Sequence, residues 1–415
     1  MISPKEALNR ILEQIPTLGR ERVPLLQAQG RVLAEDIYSA RNIPPWDNSA
    51  MDGYAVRHAD IGLASRETPV LLKVLADLPA GKVFAGRVGL GEAVRIMTGA
   101  PLPEGADTVV PVEDTIKADG TVKILTPFPA GGNIRREGED VGRGEKAVEA
   151  GTVLRPAHAG MLASLRRSSV YVYLRPRVAV LSTGDELLEI DEPWQDGKII
   201  NSNSYSIAAQ VLEGGGEPLQ LGIARDCRED LSARMKEGLV ADILITTGGV
   251  SVGDYDLVKG LLKEMGRMNF WKVAMRPGQP LAFGSLAGKP LFGLPGNPVS
   301  CMVSFEQFVR PSLLKMAGFS RIFRPGLRAA LREDFSKKSG LTYFVRCRLV
   351  EEEGKLLATT TGEQGSGILS SMVRAQGLLV LPPETTTARK GEVVSVIPLD
   401  PHLFHTLEPT YLPKG

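Results

Sequence analysis

Ile243-Leu244-Ile245-Thr246-Thr247-Gly248-Gly249-Val250-Ser251-Val252-Gly253-Asp254-Tyr255-Asp256 decides how the chain is read. Five apolar or β-branched residues run into a glycine pair, the pattern of a buried strand that ends in a tight turn. Ser251 and Asp254 are suited to cap a helix, and Leu257, Val258, Leu261, Leu262 and Met265 recur behind them at helical spacing. Free N–H groups at such a helix start attract an anion, and glycines let it approach. Asp254 and Asp256 in the same turn would repel a bare phosphate unless a divalent cation bridged the charges. A second junction follows at Leu291-Phe292-Gly293-Leu294-Pro295-Gly296-Asn297-Pro298: a strand, an Asn cap, then proline at the first position of a helix over 299–317.

Upstream, the chain alternates strand and helix from Arg177. An apolar strand at 178–181 runs into Ser182-Thr183-Gly184-Asp185-Glu186-Leu187, and a helix over 203–212 follows with Asn and Ser caps. A strand at 219–223 ends in Arg225-Asp226-Cys227, and a helix over 231–239 leads to the decisive strand. Such alternation predicts a parallel sheet covered by helices, with ligands beyond the carboxyl ends of the strands. Asp185, Glu186, Asp226, Asp254 and Asp256 all fall there, after three different strands. One acid after a strand is usually a cap, whereas five on one rim are suited to hold a metal or position water. Downstream, residues 270–275 and Arg276-Pro277-Gly278-Gln279-Pro280 add Lys272 and Arg276 as anion contacts.

Outside this region the pattern changes. Ser3-Pro4-Lys5-Glu6 reads as a capping box before an apolar stripe of Ala7, Leu8, Ile11, Leu12 and Ile15. A short helix over 27–34 and another over 156–167 are expected to pack with it as one helical unit. Between them, residues 42–56 are rich in proline and turn formers, and Asp47, Asn48, Ser49 and Asp52 either satisfy the turns or face a ligand. Short β-rich runs at 70–74, 93–97, 108–112 and 122–125 predict a small inserted β domain. Its Met97-Thr98-Gly99 turn lines a site on this reading, and Arg135 and Arg136, beside Gly138-Glu139-Asp140, are suited to grip phosphate bidentately. Past Arg321, runs at 343–350, 355–361, 378–381 and 393–397 predict a compact barrel, with Gly362 to Gly367 as a flexible loop that reaches a neighbour.

The 415 residues suggest two to four domains. A formal net charge of +1 with 23% charged residues gives no support for nucleic acid or a membrane surface as the main partner. Cys227, Cys301 and Cys347 lack the spacing of a disulfide framework or a zinc site, which fits a reducing compartment. Without an apolar signal core or a run of membrane-spanning length, the expected location is cytoplasmic. Nucleotide phosphate loops, dinucleotide turns and nucleophile elbows are absent from the sequence.

Six stretches occur here in the order seen in the molybdopterin molybdenumtransferase (MoeA, gephyrin E domain) family, which the chain therefore resembles over nearly its whole length. They are Asn48–Ala55, Met97–Pro101, Gly138–Asp140, Ser182–Leu187, Thr247–Ser251 and Leu294–Pro298. The resemblance implies a helical domain (1–44 with 141–174), an inserted β domain (45–140), a MoaB/MogA-like α/β parallel-sheet domain binding molybdopterin (175–320) and a C-terminal β-barrel domain (321–415). It implies a homodimer whose site lies between the α/β domain of one subunit and the β insert of the other. The implied reaction cleaves adenylyl-molybdopterin and inserts molybdate at the dithiolene, assisted by Mg²⁺. Carried over by motif, Asp52, Thr98, Arg135 and Asp140 come from the insert; Glu186, Asp226, Asp256, Lys272, Arg276, Pro295 and Pro298 come from the α/β side. Glu186, Asp226 and Asp256 are the expected metal ligands. Lys272, Arg276 and Arg135 would hold the oxyanion, and the helix start at Ser251 a pterin phosphate. Many family members read Lys-Pro-Gly-Lys where this chain has Arg276-Pro277-Gly278-Gln279, so a planar head replaces the first ammonium and the second charge is lost. Expected partners are the adenylyltransferase that makes the substrate and the molybdoenzyme apoproteins or chaperones that receive the product. An ATP-consuming molybdopterin adenylyltransferase and a non-catalytic pterin-binding scaffold are the alternative functions.

Overall fold

The computed structural model describes residues 1–248, 266–405 and 409. The chain separates into two compact units, Arg22–Val172, and Met1–Glu21 with Tyr173–Gly415.

In the larger unit the decisive strand forms as expected, Ile243–Thr247, with all its residues buried. It pairs in parallel with Arg177–Thr183 on one side and Lys289–Leu294 on the other, and Glu217–Ala224 lies parallel beyond Arg177–Thr183. Past Lys289–Leu294 the sheet turns antiparallel through Pro280–Leu286 and Gly266–Lys272. Side chains alternate across the sheet, so Val178, Val180, Ile243 and Ile245 pack with Ile207, Val211, Val299 and Phe305 on one face. Ala179, Leu181 and Leu244 pack with Leu231 and Met235 on the other. Burial on both faces is why these strands read as continuous apolar runs. From Arg177–Thr183 the chain passes first to Glu217–Ala224 and then back across to Ile243–Thr247. The crevice where the strand order reverses therefore opens between the carboxyl ends of Arg177–Thr183 and Ile243–Thr247.

The helix expected over 299–317 is a run of three pieces: Pro298–Ser304, a π-helical Phe305–Val309 and Arg310–Met316. A strand not expected from the sequence, Leu327–Leu331, completes the C-terminal barrel. It pairs with Lys355–Thr360 and Val393–Pro398, and closure runs through Gly377–Leu381 and Thr342–Glu352 back to Lys355–Thr360.

Three expectations about the N-terminal third need correction. Ser3 Oγ caps the helix Pro4–Leu12 by accepting from the Glu6 N–H at 3.1 Å, but the Glu6 carboxylate turns to Arg10 at 2.6 Å instead of closing a capping box. Ala7 and Ile11 of this helix belong to the core of the α/β sheet. The helix Pro156–Ser164 buries Leu162 elsewhere, with Val23, Leu33, Ile37 and Val172 of the smaller unit. Residues 27–34 form no α-helix; a single 3₁₀ turn occupies Leu25–Ala28. The smaller unit also carries a six-stranded sheet with Gly53–Val56 inside it, between Glu92–Ile96 and Thr108–Pro111. Gly53 is required there, because a Cβ would lie 2.1 Å from the Val110 carbonyl oxygen.

Candidate functional site

At the switch point of the larger unit lies a cleft of about 530 Å³, lined by Thr183, Glu186, Ile199, Asn201, Asn203, Gly248, Gly296, Pro298 and Gly367 among others. Its floor is a buried polar network. Ser182 Oγ donates to Asn201 Oδ1 at 2.8 Å and shares a 2.9 Å hydrogen bond with Thr247 Oγ1, which ties the ends of both switch-point strands together. Asn201 also caps the twelve-residue helix Ser202–Glu213 by accepting from the Ser204 N–H. The helix start thus faces the cleft with N–H groups oriented for an anion. Asn203 Nδ2 donates 2.7 Å to the Gly296 carbonyl and joins this helix start to the turn before Pro298. Backbone meets backbone closely here: Gly248 has φ +89°, and a Cβ on it would sit 2.6 Å from Thr183 O.

Three of the acids after the strands, Asp185, Glu186 and Asp226, fall among the described residues, and of these Glu186 lines the cleft. The Asp185 N–H donates to Asp226 Oδ2 at 3.2 Å and the Asp226 N–H donates to Asp185 Oδ1 at 3.3 Å, so the loops after two adjacent strands are clasped. Glu186 lines the cleft and folds over Gly184, where a Cβ would meet its Oε2 at 2.2 Å. Ser251, Asp254 and Asp256 lie outside the described residues, as does the helix expected at 255–265. Among the described residues no group of three His, Cys, Asp or Glu side chains is placed to hold a metal. Pro295 is buried behind the Gly296 turn and Pro298 lines the cleft. Asn297 occupies the cap position without a side-chain capping bond, and the Val299 N–H donates instead to the Ser366 carbonyl at 3.1 Å.

Arg276 lies in a second cleft of the same unit, about 480 Å³, with Lys337, Lys338, Tyr343, Arg346 and Glu363. Four cations face one acid in this lining, which gives it a strong positive field. Arg276 and Lys337 both stand over the Tyr343 ring, 5.7 and 5.0 Å from its centroid. Arg346 is 1% exposed, and burial lowers its pKa to about 10. Its Nε donates to Ser371 Oγ and its Nη2 to the Gly365 carbonyl, both neutral acceptors. Sequence reading missed Arg346, Lys337 and Lys338, which sit on the barrel. Lys272 ends the strand Gly266–Lys272 and is exposed.

The insert-side residues lie in the smaller unit. Asp52 Oδ1 accepts from both the N–H and the Oγ1 of Thr98, each at 2.7 Å. These bonds, the backbone one foremost, hold the Asp52 carboxyl below the usual carboxylate range. Ser49 is the hub of this side: its carbonyl accepts from Gly99, and it pairs in register with Ile134, placing Arg135 opposite Asn48. Arg136 is engaged by Asp47 at 2.6 Å, whereas the neighbouring Arg135 is exposed. The Asp140 N–H donates to the Ile43 carbonyl at 3.0 Å.

Comparisons with known proteins agree with this architecture. Family profiles match residues 2–165 as the MoeA N-terminal region (domain I and II), 179–315 as a probable molybdopterin binding domain and 328–399 as the MoeA C-terminal region (domain IV). A molybdopterin molybdenumtransferase of Haemophilus influenzae is 38% identical over 417 residues, covering 97% of this chain and 100% of its own. One of Bacillus subtilis is 39% identical over 94% of this chain and 93% of its own. The crystal structure of a molybdopterin biosynthesis MoeA protein from Pyrococcus horikoshii superposes with a TM-score of 0.82 at 33% identity, covering 96% of this chain and 100% of that one. The chain belongs to the molybdopterin molybdenumtransferase (MoeA) family.

Proposed function

We propose that this chain inserts molybdate into the dithiolene of adenylyl-molybdopterin, hydrolysing the adenylate and releasing AMP and molybdenum cofactor. The observation that supports it most is the pairing, within one unit, of a switch-point cleft lined by Glu186 and a helix start with a cleft rich in cations. A phosphorylated pterin fits the first, against the start of the helix Ser202–Glu213, and an oxyanion fits the second. The alternative of an ATP-consuming adenylyltransferase is not favoured, because the matched regions include the N-terminal and barrel portions as well as the α/β domain.

The donor set is suited to Mg²⁺, which commonly takes only one or two carboxylates beside substrate phosphates. Glu186 and Asp226 would hold it, with Asp256 as the third expected ligand; when bound, it neutralises phosphate charge and polarises phosphorus. The clasp with Asp185 orients the Asp226 carboxylate for that role. Arg276 and Lys272, with Arg135, hold molybdate near the dithiolene sulfurs. Asp52, locked ionised by Thr98, or Asp140 orders the attacking water. In this reading the protein is a cytoplasmic homodimer with the insert-side residues supplied by the second subunit. An adenylyltransferase hands it substrate, and molybdoenzyme apoproteins or their chaperones take its product. Among the described residues no helix is long and apolar enough to cross a membrane. The test is release of AMP from adenylyl-molybdopterin and Mg²⁺ on adding molybdate, with no ATP present; ATP-dependent formation of the adenylate instead would overturn it.

A further inference from the structure

The two clefts share a wall. Gly367 lines the switch-point cleft, while Glu363, Gln364 and Gly365, in the same loop, line the cationic one. This loop is not the free arm expected from its glycines, because it is bonded within its own chain at both ends. Toward the first cleft, the Ser366 carbonyl accepts from the Val299 N–H at 3.1 Å. Toward the second, the Gly365 carbonyl accepts from Arg346 Nη2 at 2.9 Å. The part that fixes the loop in this register is Gln364. Its Oε1 accepts from the Arg346 N–H at 2.9 Å, and its Nε2 donates to the carbonyls of Gly362 at 2.9 Å and Arg346 at 3.3 Å.

We propose that Gln364 is a positioning residue that holds residues 362–367 as a common partition, so that filling the switch-point cleft tightens oxyanion binding in the cationic cleft. The inference rests on the reading of the two clefts as pterin and oxyanion sites. A ligand that needs the space at Gly367 displaces the loop. Gly365 O then withdraws from Arg346 and frees a guanidinium N–H for an anion. That guanidinium is buried and its two acceptors, Ser371 Oγ and the Gly365 carbonyl, are neutral, so an incoming anion displaces no ion pair from these N–H groups. The chain of contacts from Gly367 to Arg346 is short, and coupling through packed, hydrogen-bonded contacts of this kind is commonly about fivefold or more in affinity.

The experiment is calorimetric titration of the full-length protein with molybdate, with and without a saturating phosphorylated pterin. The expected result is molybdate binding at least about fivefold tighter with the pterin present, and pterin binding tightened by the same factor with molybdate present. In Gln364→Ala the loop is released in both states, so the factor falls to about one and molybdate binds at the tighter affinity throughout. A wild-type factor of one with both probes bound, or a Gln364→Ala protein that keeps the wild-type factor, overturns the proposal. The reciprocal wild-type titration needs no variant and decides the matter even where Gln364→Ala fails to fold. Failure of either probe to bind the wild-type protein at all overturns the two-cleft reading beneath it, which is a distinguishable result.

Discussion

Asp185 and Asp226, from loops after two adjacent parallel strands, each donate a backbone N–H to the other's carboxylate, at 3.2 and 3.3 Å. The clasp satisfies two turn N–H groups and keeps both acids together beyond the carboxyl ends of their strands. An amide oxygen can replace the Asp226 oxygen in that clasp, but it carries no charge for a cation. Asp226→Asn is therefore expected to lower the rate of adenylate cleavage by about 100-fold, or about 2.7 kcal/mol of transition-state stabilisation, while the midpoint of thermal unfolding stays within about 2 °C. Undiminished turnover of purified adenylated cofactor would refute the assignment.

On the insert side, Thr98 supplies two donors to one oxygen of Asp52. The folded-state pKa of Asp52 is thus depressed below the ordinary 3.8. A depressed carboxylate contributes stability above its unfolded pKa and loses it as the pH falls through the folded value, so this contribution fades only below about 3.8. Thr98→Val deletes the hydroxyl donor and keeps the backbone one. Carbon-13 titration of the Asp52 carboxyl should show a pKa closer to 3.8 in Thr98→Val than in the wild type; equal titration curves would show that the hydroxyl bond is not made.

Gly248 combines φ +89° with a Cβ position 2.6 Å from Thr183 O. Alanine there meets backbone, which cannot swing aside as a side-chain tip would. Gly248→Ala is expected to destabilise the fold by about 2 kcal/mol or more, read from urea denaturation, and to weaken binding in the adjoining cleft. A variant as stable as the wild type would mean that the two strand ends do not approach as described.

The three thiols make a fourth, simple test. Cys227 is exposed, whereas Cys301 and Cys347 are buried, and burial raises the pKa of both, that of Cys347 to about 12. Because the thiolate is the reactive form, an alkylating agent at neutral pH should label one site in the native protein and three after unfolding.

Much of the α/β half could be read directly. Residues 243–247 and 178–181 are apolar throughout because both faces are covered, and Gly248 marks the strand end because nothing larger fits. Pattern reading fails where the partner is remote. The stripe of Ala7 and Ile11 announces a buried face but not that the α/β sheet covers it. Gly53–Val56 is an interior strand only four residues long, hidden behind the turn formers Asp47 to Asp52. Asp52 and Thr98 each stand out in their motifs, but nothing 46 residues apart in sequence predicts their two hydrogen bonds. Arg346 left no signal, because an arginine within an alternating strand reads as solvent-facing until the loop from Gly362 covers it. The setting of the cations is likewise a product of folding: Arg276, an expected anion contact, shares its cleft with Lys337, Lys338 and Arg346 of the barrel, which no spacing along the chain announces.

The most direct measurement follows purified protein with adenylyl-molybdopterin and Mg²⁺, before and after molybdate is added. The expected result is that molybdate triggers release of AMP together with metallated cofactor, and that Asp226→Asn slows both by about 100-fold. AMP release that neither molybdate nor Asp226→Asn changes, or no turnover of the adenylate under any of these conditions, would contradict it.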